Sequence, residues 1–149
     1  MRPMLRKTIS SEITIAAAAT RVWDLVSDLS GYAAWNPFIR SASGILSPGR
    51  RLDLTLQIPD GLKMRIRPRL IAVIEEREIR WVGHLGISGL FDGDHRFLIS
   101  PLNDGKGTIL RQEETFSGLL VPVFGSWIGG GALRGFAAMN QAARRRLEA

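Results

Sequence analysis

Residues Val123–Leu147 read VFGSWIGGGALRGFAAMNQAARRRL, and the rest of the chain is organised around this stretch. From Ile128 onward the spacing predicts an amphipathic helix, with Ala132, Phe136, Met139, Ala143 and Leu147 on one side and Arg134, Gln141, Arg145 and Glu148 on the other. No other segment carries so long a helical pattern. The chain before it alternates as strands do, and a sheet with one apolar face needs an apolar element to close over it. The expectation is a sheet gripping a C-terminal helix. Gly129, Gly130 and Gly131 thin the start of that helix, each costing roughly 1 kcal/mol relative to Ala. They read either as a flexible entry loop or as a place of close backbone packing.

A chain of 149 residues suffices for one domain, expected to span residues 1–149 and to bury roughly 70% of its unfolded surface. The sequence has no cysteine, which excludes a disulfide framework and thiolate metal sites, and its two histidines, His84 and His95, are too few for a histidine-rich one. No metal or other cofactor is predicted. Arg2, Arg6, Lys7 and Glu12 precede a short run from Ile13 to Ala19 that lacks the apolar core and cleavage pattern of a signal peptide, so the reducing cytoplasm is the expected compartment. Residues 115–133 carry no charge, yet they contain Pro122 and five glycines, a poor composition for a spanning helix. Stable membrane insertion is not expected.

The net charge of +6 comes mostly from arginine, with Lys7, Lys63 and Lys106 the only lysines. Arg65, Arg67 and Arg69 alternate along a strand, and Arg144, Arg145 and Arg146 end the helix, where cations complement the macrodipole. Neither group is interleaved with aromatic residues, so nucleic acid is not an expected partner.

In chain order, Leu5 to Ile15 alternate as a first strand, with Ile9, Ser11, Ile13 and Ile15 on one face. Val22, Leu25, Val26 and Leu29 then repeat at helical spacing until Ser30-Gly31 stops them, and a second helical turn carries Tyr32 to Trp35 before Pro37. From Phe38 to Gly118 the reading is strand and turn. Leu52, Leu54, Leu56 and Ile58 alternate up to a Pro59-Asp60-Gly61 turn, and Leu62, Met64, Ile66, Leu70, Ala72 and Ile74 follow as a dry face opposite Lys63, Arg65, Arg67 and Arg69. Ile79, Trp81, Gly83 and Leu85 continue the pattern, with His84 facing outward beside Arg80 and Val82. Phe91, Gly93, His95, Phe97 and Ile99 form the next inner face, and an Asn103–Lys106 turn leads to Leu110, Gln112, Glu114 and Phe116.

Val22-Trp23 with Asp28, Tyr32, the Trp35-Asn36-Pro37-Phe38 run, Gly93-Asp94-His95-Arg96-Phe97, Gly107-Thr108, Glu114 with Phe116 and Gly118, and Phe136 with Met139-Asn140 occur in an order and spacing that resemble the SRPBCC superfamily. This is the helix-grip fold of START-like, pollen-allergen-like and polyketide cyclase/dehydrase-like proteins, and the likeness is to small bacterial members. Ala17 departs from the pattern, standing where relatives often place proline before the first helix. The resemblance implies an α+β fold: a curved antiparallel sheet of about seven strands wrapped around the long C-terminal helix, two short helices after strand one, and an apolar cavity between sheet and helix. It does not imply an enzyme, because members of the superfamily catalyse, carry ligands or assist other proteins on one scaffold.

His95 interrupts the apolar face of Phe91, Phe97 and Ile99, and a buried polar group needs a partner. A four-residue turn places Leu102 opposite Gly107 and so sets His95 against Glu114, Phe97 against Gln112 and Ile99 against Leu110. Such a pair can orient a ligand hydroxyl or move a proton, as cyclisation and dehydration require, and His95 and Glu114 are the candidate catalytic residues. The same pair also reads as a purely structural contact. Trp35, Asn36 and Phe38 belong where the fold's pocket mouth lies, Trp81 stands on a cavity-facing position, and Phe97, Gln112, Phe116 and Phe136 complete the candidate lining. Trp127 is expected on a mobile loop, Gly118 to Gly131, packing over the entrance. The expected partner is a small hydrophobic ligand, and self-association is compatible with the sequence. The alternative is an interaction module that uses the open sheet face or the basic helix end to meet a protein or an acidic membrane surface.

Overall fold

The computed structural model describes residues 5–59 and 61–149, so Arg2 and the Asp60 of the expected turn lie outside the described residues. Strand β1 (Arg6–Ile15) is followed by helix α1 (Ala19–Ser27), a 3-10 turn over Leu29–Gly31 and the short helix α2 (Tyr32–Trp35). Strands β2 (Ile39–Ser43), β3 (Asp53–Gln57), β4 (Lys63–Ile66), β5 (Arg69–Ile74), β6 (Glu78–His84), β7 (Asp92–Pro101) and β8 (Thr108–Ser117) lead to helix α3 (Val121–Glu148). The eight strands form a five-stranded sheet, ordered β1-β8-β7-β6-β5, and a three-stranded sheet, β2-β3-β4. Every pairing is antiparallel. This is the helix-grip arrangement of an α+β protein.

Pro68 explains why the strands divide into two sheets. Without an N–H it cannot donate to a ladder, and the run expected as one strand from Leu62 to Ile74 breaks there into β4 and β5. Leu52 N–H donates to Pro68 carbonyl at 2.9 Å and Leu70 N–H to Arg50 carbonyl at 2.8 Å, so the small sheet hinges on the large one and curves over it. The continuous dry face expected for this run also fails beyond the hinge. The β5–β6 register shifts between Leu70 and Ala72, which turns Val73 inward and leaves Ile71 and Ile74 exposed, and Leu62 is exposed at the β3–β4 hairpin.

Helix α3 lies against β1 and β8, with Ala132, Phe136, Met139, Ala143 and Leu147 buried as their period predicts. Side-chain hydrogen bonds anchor its C-terminal half. Gln112 Nε2 donates to Asn140 Oδ1 at 2.8 Å, Asn140 Nδ2 donates to Ser11 carbonyl at 3.2 Å, and Arg21 donates to Leu147 carbonyl at 3.0 Å. The last of these satisfies a terminal carbonyl that the helix itself cannot.

The segment expected as a mobile loop is helical from Val121. Pro122 suits a first turn, where no intrahelical N–H bond is lost, and at Gly131 and Gly135 neighbours fill the space that side chains would take. A Cβ at Gly131 would lie 2.6 Å from Ile58 Cγ2, and one at Gly135 would lie 2.2 Å from Phe38 Cδ1. Glycine here admits close packing of the small sheet onto the helix, the second of the two readings its run allowed.

Tyr32 closes the core beneath α1. Its hydroxyl donates to Val26 carbonyl, and burial, helped by the Asp28 carboxylate, pushes the phenol pKa well above its ordinary value. Ala18, the residue before helix α1, gives the helix no side-chain cap.

Candidate ligand-binding cleft

Between the two sheets and the first half of α3 lies a cleft of about 580 Å³, its solvent-open mouth included. Each wall comes from a different element: Leu56, Ile58, Met64 and Ile66 from the small sheet and its hairpin, Trp81, Gly83 and Leu85 from β6 and its end, and Phe91 and Gly93 from the start of β7. Glu114 and Phe116 of β8, Phe38 before β2, and Ile128 and Ala132 of α3 complete it. Strand alternation assembles this lining, since only every second residue of β6, β7 and β8 faces inward. His84 borders the cleft, but alternation puts its side chain on the outer face with Arg80 and Val82, where Nδ1 lies 2.7 Å from Asp92 Oδ1.

The expected β7–β8 register is present. His95 pairs with Glu114, Phe97 with Gln112 and Ile99 with Leu110, and Leu102 N–H donates to Gly107 carbonyl at 2.9 Å across the turn. His95 Nδ1 lies 3.4 Å from Glu114 Oε1. The two residues are not equivalent, however. His95 is buried in an aromatic cage, stacked on Trp81 at 5.2 Å and edge-on to Phe97 at 4.6 Å and Phe136 at 4.9 Å, and its Nε2 has no partner among the described residues. Glu114 keeps 18% of its side chain exposed and borders the cleft. The carboxylate is thus the group that can meet a ligand, and the imidazole stands behind it.

The other candidate residues divide in the same way. Phe38, Trp81 and Phe116 line the cleft. Phe97 and Phe136 are fully buried in the layer beneath, where Phe38 meets Phe136 edge-on at 5.6 Å. Asn36 is a structural bracket. Its Oδ1 accepts the N–H groups of Phe38 at 2.9 Å and Ile39 at 2.8 Å, turning the chain into β2, while Nδ2 points at Met139 Sδ. Gln112 is buried, its Nε2 engaged with Asn140 and its Oε1 without a partner among the described residues. Trp35 packs edge-on against Tyr32 at 5.5 Å, its indole nitrogen unpartnered among the described residues, and it does not border the cleft.

Trp127 stands on the helix, not on a loop, and is 64% exposed. With Arg134 it lines a second groove beside the β3–β4 hairpin, sharing Ile58, Met64 and Ile128 with the main cleft. Leu56, Met64 and Ile66 were legible only as strand core, because β4 had to break from β5 before its inner face could become a cavity wall.

The outer face of the large sheet is laced with ion pairs. Arg80 grips Asp94 in a two-pronged contact of 2.9 and 2.7 Å, and Arg111 lies 3.4 Å from Glu113. The Asp94 carboxylate raises the pKa of Arg80 still further. Arg65 pairs with Asp53 on the small sheet and holds that carboxyl below its ordinary pKa. Among the described residues, no helix is long and apolar enough to cross a membrane.

A family model described as polyketide cyclase / dehydrase and lipid transport matches residues 6–149. The fold is similar to that of a START superfamily protein from Mycobacterium smegmatis, with 26% sequence identity, a TM-score of 0.74 and coverage of 95% of this chain and 97% of that one. It is also similar to the Zhui aromatase/cyclase from Streptomyces sp. R1128, at 17% identity and a TM-score of 0.77 over 96% of this chain and 94% of that one. The di-domain ARO/CYC protein BexL from the BE-7585A biosynthetic pathway matches at 18% identity and a TM-score of 0.79, and there 99% of this chain spans 52% of that one. No curated protein matches in sequence.

Proposed function

The chain belongs to the polyketide cyclase / dehydrase and lipid transport family, and from that premise we propose that residues 1–149 form one ligand-binding domain holding a small hydrophobic molecule in the cleft. The observation that carries this reading is the lining itself: apolar side chains from both sheets and α3 converge on a space with one carboxylate at its wall. Ligand sites have this character, mostly apolar with few polar groups that fix orientation. Proton transfer of the cyclase or dehydrase kind is assigned to Glu114, with His95 as the residue that positions it. A carboxylate at hydrogen-bonding reach of a ligand hydroxyl or an activated C–H can take a proton and return it.

A second reading, an interaction module, draws on a different observation. Leu62, Ile87, Leu119, Val123, Phe124 and Trp127 are all exposed, on the β3–β4 hairpin, the β6–β7 turn, the segment before α3 and the start of α3, and the hairpin and α3 also supply walls of the cleft. An apolar patch of this kind marks a surface that meets something.

Native mass spectrometry of the purified protein, before and after denaturation, distinguishes the two. The first reading expects a co-purified or added hydrophobic molecule bound one to one. The result against it is the bare protein mass throughout, together with self-association or vesicle binding that Trp127→Ser abolishes.

A further inference from the structure

Resting on the binding reading above, we infer that the cleft selects hydrophobic molecules carrying a hydrogen-bond donor, neutral or cationic, and rejects hydrophobic carboxylates, with Glu114 as the specificity-determining residue and Gly93 as the residue that makes room for it. Among the described residues, Glu114 is the one ionisable group whose side chain alternation turns toward the cleft, since His84 is turned outward to Asp92. A carboxylate offers acceptors only.

Its two oxygens have different surroundings. Oε1 faces His95 Nδ1 at 3.4 Å. Oε2 has no hydrogen-bond partner among the described residues and is not sealed from solvent, so it is the oxygen left for a ligand. A Cβ at residue 93 would lie 2.1 Å from Oε2, so the carboxylate lies in the space that a side chain on the neighbouring strand would take. Gly93 has no left-handed backbone angle requiring glycine, so this space is what its missing side chain provides. His95, locked between Trp81, Phe97 and Phe136, backs the carboxylate and limits its swing.

A donor on the ligand therefore gains a charge-assisted hydrogen bond, about twice as strong as a neutral one. An anionic ligand instead brings like charge to a carboxylate among apolar walls, with no Lys or Arg among the described residues of the lining to offset it. This local preference opposes the protein's overall field, because a chain of net charge +6 attracts anions from a distance. A measured preference against anions thus reports on the cleft and not on the surface.

The test uses four probes with one naphthalene body at pH 7: 2-naphthol, 2-naphthylmethylamine, 2-naphthoate and 2-methylnaphthalene, titrated by calorimetry into the full chain. The naphthol and the amine are expected to bind at least roughly tenfold more tightly than the naphthoate, the scale of one charged hydrogen bond made or lost. Glu114→Gln should compress the series to within about threefold, as should Gly93→Ala, which keeps the carboxylate but crowds Oε2 out of place. Far-UV circular dichroism confirms folding, and Gly93→Ala carries the test if Glu114→Gln does not fold. Naphthoate binding as tightly as naphthol in the wild-type protein, or a preference that survives in both variants, overturns the inference while leaving a hydrophobic site in place. Failure of all four probes to bind overturns the binding reading as well.

Discussion

Glu114 Oε1 lies 3.4 Å from His95 Nδ1, yet only Glu114 borders the cleft, while His95 is packed on three sides by Trp81, Phe97 and Phe136. The geometry makes His95 a part of the core that also steadies a carboxylate. Replacing it with Ala should therefore act first on stability. The expected loss is about 2–4 kcal/mol in urea unfolding, arising mainly from the void left among the three rings. Glu114 retains solvent access through the cleft, so it does not become an isolated buried charge. A loss below about 1 kcal/mol would mean that the cage collapses freely around a missing ring.

Phe136 is fully buried and meets both Phe38 and His95 edge-on. Phe136→Ala should cost about 3–5 kcal/mol and loosen the contact between α3 and both sheets. Equilibrium unfolding checks the magnitude, and a change of under about 1 kcal/mol would be inconsistent with the burial described for this face of the helix.

The glycines of α3 predict opposite signs for one substitution. At Gly130 the nearest neighbour to an added Cβ is the flexible Arg134 guanidinium at 3.7 Å, so Gly130→Ala should stabilise the protein by up to about 1 kcal/mol through helix propensity. At Gly135 the same methyl meets the Phe38 ring at 2.2 Å. Its overpacking cost of about 1–3 kcal/mol should exceed the propensity gain and leave a net loss. Finding both variants stabilised would show that Phe38 can move aside without cost.

Tyr32 gives the protein an alkaline limb. Its folded-state pKa is raised above the ordinary value of 10.0 by burial and by Asp28. The contribution is fully present below that value. Above it, the unfolded chain releases its proton while the folded chain keeps it, so stability falls by about 1.4 kcal/mol per pH unit. Tyr32→Phe loses the hydrogen bond to Val26, at about 1 kcal/mol near neutrality, but also loses this pH dependence. Urea midpoints of the two proteins from about pH 8 to pH 11 should converge as pH rises. A gap constant across that range would count against a buried, neutral phenol.

Much of the architecture was legible because the signals that carry it are local. The three-and-four spacing of Phe136, Met139 and Ala143 defines a face whatever the helix packs against, and the alternation around His95 and Glu114 fixes their pairing once the Asn103–Lys106 turn is counted. What the tertiary structure alone decided depends on contacts between distant segments. The glycine run from Gly129 to Gly131 has the propensity of a loop, and it lies in a helix packed against distant segments, Gly131 against Ile58, more than seventy residues away in the chain, and Gly129 against Lys7 and Ile9. Pro68 divides one apparent strand between two sheets, which makes a cavity wall of residues that read as core. The division of roles between Glu114 and His95 follows from the same cause. Both lie on inward faces by alternation, and only the position of the neighbouring aromatic rings determines which of them is sealed and which is left at the cleft.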